Sequence, residues 1–291
     1  MPAIEGLLDR LHGLSLGHAM GDSIGGPTSL AQALAQSLNN EGEFCPDHVR
    51  NAYLNWWRED GHDCGLVFHR VLALVDEGTS WQMAVEAVND SLNGLTGGCN
   101  PAHRAIPLVY LPVSNDELES IARSEARLTH LDPMAGTVSA ATILICRILV
   151  EGGSWEKAVE QARGKLSEFD GPSIIWDGSK TLSIKDLKRD GYAPNVLRAA
   201  LFFVTRSQDF ESALREAFEF AGPRNYCPVL VGAMAGARFG ASAIHQSDLY
   251  LTRRRKQIAD PASQLAQRFA AFRSQSADYV EPLSPEGVPK K

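Results

Sequence analysis

The sequence predicts an all-α fold, a compact single domain of helices crossing at steep angles, and three observations predict it. Apolar residues recur at helical spacing along almost the whole chain. No pair of alternating runs flanks an Asn-Gly or Asp-Gly turn, as a β-hairpin would require. A late stretch, AGPRNYCPVLVGAMAGARFG, gathers Gly232, Ala233, Ala235, Gly236, Ala237 and Gly240 into one helix. Each glycine there costs about 1 kcal/mol of helix propensity, so the pattern makes sense only if other backbones pass close by.

The first stripe is Leu30, Ala33, Leu34, Ser37 and Leu38, followed by Val49, Ala52, Tyr53, Trp56 and Trp57, then by Trp81, Ala84, Val85, Val88 and Leu92. Further stripes run at about 115–127, 134–151, 155–167, 195–206, 209–220 and 228–240. One local pattern occurs as SWQMAVEAV from Ser80, SWEKAVEQA from Ser154 and DFESALREA from Asp209. Its Ser or Asp is placed to cap a helix while the aromatic residue packs at the first turn. The copies are unequally spaced, so the pattern is no solenoid repeat. Residues 171–192, GPSIIWDGSKTLSIKDLKRDGY, break the periodicity and read as a long loop. The main domain is expected over 1–250, with a C-terminal helix and frayed tail over 251–291.

With 291 residues, 44% of them hydrophobic, the chain can bury a sizeable core. Its formal charge of -7 excludes nucleic-acid or acidic-lipid binding by bulk electrostatics, so an anionic ligand must meet a local site. No run approaches the ~18 apolar residues of a membrane span. The start, MPAIEGLLDRLHG, lacks a basic region followed by an apolar one, and a cytoplasmic protein is expected. The five cysteines include no CxxC pair and signal neither a disulfide framework nor a zinc cage. The basic run Arg253, Arg254, Arg255, Lys256 reads as a solvated helix end.

Five polar clusters interrupt the stripes: GHAMGDSIGGP with Asp22, WWREDGHDCG with His62 and Asp63, GGCNPAHRAIPL with Asn100, His103 and Arg104, LTHLDP with His130 and Asp132, and PRNYC with Arg224 and Asn225. Singly, each has a structural reading as turn, cap or satisfied core histidine. Together they resemble the ADP-ribosylglycohydrolase family, which includes the dinitrogenase reductase activating glycohydrolases. The likeness rests on GHAMGDSIGGP, AQALAQSL with YLNWWREDGHDCG, GGCNPAHRAIPL, LTHLDPMA, GYAPNVLRAALFF and AGPRNYCPVLVGAMAGARFG, in this order over roughly residues 10–245. It implies an all-α domain whose cleft holds two divalent ions, usually magnesium or manganese, and cleaves an N- or O-glycosidic bond at C1 of an ADP-ribosyl group.

The departures matter as much. Where the family has an early Thr-Asp-Asp-Thr this chain has Gly25, Gly26, Pro27 and Thr28, and where it has a late Asp-Ala-Asp-Thr this chain has Pro223, Arg224, Asn225 and Tyr226. Four metal-binding carboxylates are gone, so no metal ligands are assigned and no cofactor is expected. The resemblance makes Asp63, Asp22 and His130 the catalytic candidates. Arg104, Arg224, Asn225, Tyr192, Asn100, His103 and Asp132 are the substrate-binding candidates, with Arg224 placed to meet a phosphate. The expected activity is metal-independent hydrolysis of an N-glycosidic bond in a small ADP-ribosyl or ribosyl-phosphate compound. Two alternatives stay open: a non-catalytic nucleotide-binding relative, and a specialised glycosidase of a biosynthetic pathway.

Overall fold

Two helices with a glycine at every fourth position set the frame. In a computed structural model of the chain, which describes residues 2–166, 183–222, 225–244 and 262–274, α1 spans Pro2–Gly21 and α12 spans Cys227–Phe239. They cross so closely that a Cβ on Gly17 would stand 2.8 Å from the carbonyl carbon of Gly232, and one on Gly21 would stand 2.8 Å from Cα of Val229. A Cβ on Gly13 would stand 2.7 Å from the carbonyl carbon of Gly240. The pairing runs antiparallel, so the end of α1 meets the start of α12. Every residue of α12 from Cys227 to Ala237 is buried, as the small-residue pattern predicts.

Between them lie α2 (Gly26–Glu41), α3 (Pro46–Glu59), α4 (Leu66–Asp76), α5 (Trp81–Ser91), the short α6 (Asn100–Arg104), α7 (Asn115–Ala126), α8 (Pro133–Val150), α9 (Trp155–Leu166), α10 (Ala193–Arg206) and α11 (Phe210–Ala221). Among the described residues three short 3₁₀ turns accompany them, at Ile106–Tyr110, Ile184–Asp186 and Ala241–Ala243. No strand occurs among the described residues. α8 is long and apolar enough to cross a membrane by composition, but its residues Ala135–Val150 are all buried, which makes it the central helix of the core. Its Arg147 is buried too, donating to the carbonyls of Val109, Leu111 and Val113.

Of the repeated capping pattern, Ser154 and Asp209 each accept from a backbone N–H of the turn that follows. Ser80 occupies the cap position of α5 without a side-chain hydrogen bond. The aromatic residues do pack at the first turn: Trp155 and Phe210 are buried, and Trp81 donates its indole N–H to the carbonyl of Leu128. A helix at 262–274, here α13, returns to the core through Leu265, Ala266, Phe269 and Ala270, with Phe269 under the guanidinium of Arg147 at 4.5 Å. Most of the expected loop at 171–192, the basic run at 253–256 and the expected tail lie outside the described residues.

Candidate active site

A cavity of about 330 Å³ opens where several helices begin. Pro27 stands in the first turn of α2, Leu66 and Val67 in that of α4, Asn100 in that of α6, and Val196 in that of α10, while Tyr226 immediately precedes α12. Gly65, Gly98, Gly191, Leu95, Cys99, Asp63, His103 and His130 complete the wall. Helix N-termini carry unpaired N–H groups and partial positive charge. Five helices begin along this wall, and none of its described lining residues is Lys or Arg. A larger groove, about 730 Å³, runs between α2 and α3 and is lined largely by Gln32, Gln36, Asn40, Asn51 and Asn55. None of the site residues expected from the sequence lies in it, whereas Asp63, Asn100, His103 and His130 line the smaller cavity.

Among the described residues, Asp63 is the one acidic residue in the cavity wall. Its backbone is left-handed, with φ of 50°, a conformation Asp tolerates better than most residues. Gly26 makes room for it, since a Cβ there would stand 2.8 Å from that of Asp63. Oδ1 accepts a 2.6 Å hydrogen bond from the Tyr226 hydroxyl, and Oδ2 is buried without a partner. Burial raises the carboxyl pKa above the ordinary aspartate value, and the nearby Asp22 adds to this. The Tyr226 hydroxyl, the Gly26 amide and His62 pull the other way. His62 itself is exposed and pairs with Asp60 at 2.7 Å.

Asp22 is 1% exposed, and its oxygens accept from the amides of Ile24, Gly25 and Thr28 and from the Thr28 hydroxyl. It thus ties the end of α1 to the first turn of α2, beside the cavity rather than in its wall. His103 is 5% exposed and its Nε2 has no partner, while its backbone carbonyl is 2.7 Å from His18 Nε2. Burial, reinforced by His18, pushes the His103 pKa down to about 3, so its ring is neutral at physiological pH. His130 pairs through Nδ1 with the Thr129 hydroxyl at 2.8 Å, and burial followed by the Arg104 charge holds it well below the ordinary histidine value. Two neutral imidazoles therefore face the carboxylate's cavity.

Other expected site residues sit elsewhere. Arg104 is fully buried, forming a 2.6 Å ion pair with the equally buried Glu125, donating to Asn100 Oδ1 and stacking on Tyr53 and Phe68. It reaches the cavity only through Asn100, which lines it and donates to the Cys64 carbonyl. Asp132 caps α8 through the Met134 amide. Tyr192 precedes α10 and is 43% exposed, and its neighbours Gly191 and Ala193 bind Cys99 and Gly97 through their backbones. Asn225 is 1% exposed, donating to the carbonyls of Lys188 and Asp190 and accepting from the Cys227 amide. Arg224 lies outside the described residues.

Tyr226 is the residue that motif reading passes over. It belongs to the quoted PRNYC cluster, but only the fold brings it to a carboxylate 163 positions earlier. Glu125 is likewise absent from the motifs. Its signal was a carboxylate on the same buried stripe as Leu118 and Ala122, which calls for a buried cation.

These donors do not fit a pair of hard divalent ions, which need several free carboxylate oxygens in fixed geometry. The Asp22 oxygens are taken by the α2 loop and its first turn, Asp63 Oδ1 by Tyr226, and Asn225 offers an amide whose oxygen is already engaged. Among the described residues no three His, Cys, Asp or Glu side chains converge as a metal site would require.

Fold and cavity together define an all-α domain whose pocket, among the described residues, holds a single carboxylate at the point where several helices begin. The sequence profile of ADP-ribosylglycohydrolase matches residues 3–276, and the chain belongs to the ADP-ribosylglycohydrolase family. It is 25% identical over 282 residues to the ADP-ribosylarginine hydrolase Tri1 of Pseudomonas putida (strain GB-1), an alignment covering 82% of this chain and 73% of that protein. Among solved structures it resembles an ADP-ribosylglycohydrolase-related protein complex with a TM-score of 0.71 and 25% identity, over 92% of this chain and 99% of the other.

Proposed function

We propose that the protein hydrolyses an N-glycosidic bond at C1 of a small ADP-ribosyl or related ribosyl-phosphate compound, without the paired metal ions of its family and with Asp63 as the working carboxylate. The observation that carries this reading is the Asp63 carboxyl in the cavity wall, one oxygen held by the Tyr226 hydroxyl and the other, Oδ2, buried without a partner in the protein. A buried acceptor lacking a hydrogen bond costs about 1–3 kcal/mol, a deficit that a ribose hydroxyl or an attacking water would remove. In the reaction, the C1–N bond breaks with its electron pair leaving on nitrogen, which takes up a proton from solvent. Water oxygen bonds to C1, and the proton it loses passes to Oδ2. Positive charge builds on the sugar ring at the transition state, and the carboxylate stabilises it.

The ring of helix N-termini supports a phosphorylated substrate, because its field favours anions where no described side-chain cation lines the pocket. The neutral His103 and His130 rings suit hydrogen bonding to sugar or phosphate oxygens more than strong acid catalysis. ADP-ribosylarginine, which the Pseudomonas relative is named for, is the first substrate to try. Asp63→Asn keeps shape and removes charge, so turnover should fall by at least the roughly 100-fold typical of a lost general base. Near-normal turnover in that variant would remove Asp63 from the mechanism.

A further inference from the structure

We propose that Tyr226 is the positioning residue of the Asp63 carboxylate, doing with one hydroxyl what a bound cation would otherwise do: it fixes Oδ1 and so sets how the carboxyl is presented to the cavity. The inference rests on the reading of Asp63 as the working carboxylate. Three observations carry it. The Tyr226 hydroxyl meets Oδ1 at 2.6 Å, within the range of strong O–H···O⁻ bonds, while Oδ2 has no protein partner. The two oxygens of one carboxylate are thereby made unequal, one hydrogen-bonded and one not.

The two residues are also held from independent directions. Asp63 sits in a left-handed turn wedged against Gly26, whereas Tyr226 stands at the start of α12, which the α1 glycines pin in the core. The Tyr226 ring is further seated against His103, 5.9 Å between centroids. A tyrosine whose only use was packing would not need its hydroxyl aimed at the one carboxylate in the cavity wall. The hydroxyl stays protonated throughout, since burial and then Asp63 raise its pKa far above neutrality, so it donates and never competes as a base.

Titratable groups facing Asp63 are Tyr226 from α12, Asp22 from the turn after α1, His62 and Cys64 beside it in its own loop, and His103 across the cavity from α6. Losing the Tyr226 bond removes a stabiliser of the charged carboxylate, so its pKa must rise. Tyr226→Phe keeps the ring against His103 and removes only the oxygen. Expected are a loss in kcat on the order of 10–100-fold with KM little changed, and an acidic limb of the pH–rate profile displaced to higher pH. Wild-type kcat with an unmoved limb would overturn the proposal.

A second measurement does not depend on turnover. The side-chain carboxyl of Asp63, followed by carbon-13 NMR with pH in wild type and Tyr226→Phe, should titrate at higher pH in the variant. An identical midpoint would overturn the positioning role. A wild-type protein inert toward every ribosyl compound, yet showing the displaced Asp63 midpoint, would refute the hydrolase reading alone.

Discussion

Asn225 occupies a position where the family carries acid, and its neighbours explain the amide. Two backbone carbonyls and one backbone N–H surround it, so the site needs a donor and an acceptor in one side chain, which an aspartate cannot supply. Arg104 shows the same logic with charge. Its guanidinium is raised above its ordinary pKa because Glu125 and Tyr53 outweigh the penalty of burial. Arg104→Ala would leave Glu125 buried and uncompensated, at a cost of about 3–5 kcal/mol, measurable as a lower urea midpoint. An unchanged midpoint would return Arg104 to the ligand-binding role that motif reading gives it. The motifs do single out Asp63, Asn100, His103 and His130, all of which line the cavity. They cannot tell these from Asp22, Arg104, Asp132 or Asn225, because a polar side chain in a motif serves ligand or scaffold according to partners that only the fold supplies.

The helices most legible in the sequence are those with one apolar stripe, such as α3, α7 and α11, whose buried faces alternate with solvated ones. Those the stripes leave out have physical reasons to be silent. α1 trades part of its stripe for glycines and α6, at 5 residues, is too short to show a period; α4 is the exception, since Val67, Phe68, Val71 and Leu72 form a regular buried stripe opposite His69, Arg70 and Asp76. The small-residue character of α12 was plain, but its matching partner in α1 was not, since Gly13, Gly17 and Gly21 lie more than 200 positions away. Gly17→Ala tests that contact: its Cβ would press on the Gly232 carbonyl, and the crossing must part or lose about 1–3 kcal/mol. Because Asp22 directly follows α1 and Tyr226 directly precedes α12, such a change should also slacken the Asp63–Tyr226 pair. Full stability in Gly17→Ala would mean that the two helices are not in backbone contact.

Across the whole molecule, three buried histidines make stability depend on pH. His18, His103 and His130 all have folded-state pKa values below the ordinary 6.5, chiefly through burial, so the unfolded chain binds more protons than the folded one as pH drops below that value. Stability is therefore full above about pH 6.5 and declines as pH falls toward the folded value, which for His103 is about 3. Asp63, with a raised pKa, acts in the opposite sense, but it is one group against three. Urea midpoints should accordingly hold level above about pH 6.5 and fall from there to pH 5, and a flat profile throughout would mean that these rings are solvated or charged in the native state. The account's central claim is that a lone carboxylate, held by a tyrosine in a field of helix N-termini, replaces a two-metal centre. Its most direct measurement is steady-state hydrolysis of ADP-ribosylarginine by the wild-type protein with and without excess chelator. The account predicts turnover that chelation leaves unchanged, whereas turnover abolished by the chelator and restored by magnesium or manganese would contradict it.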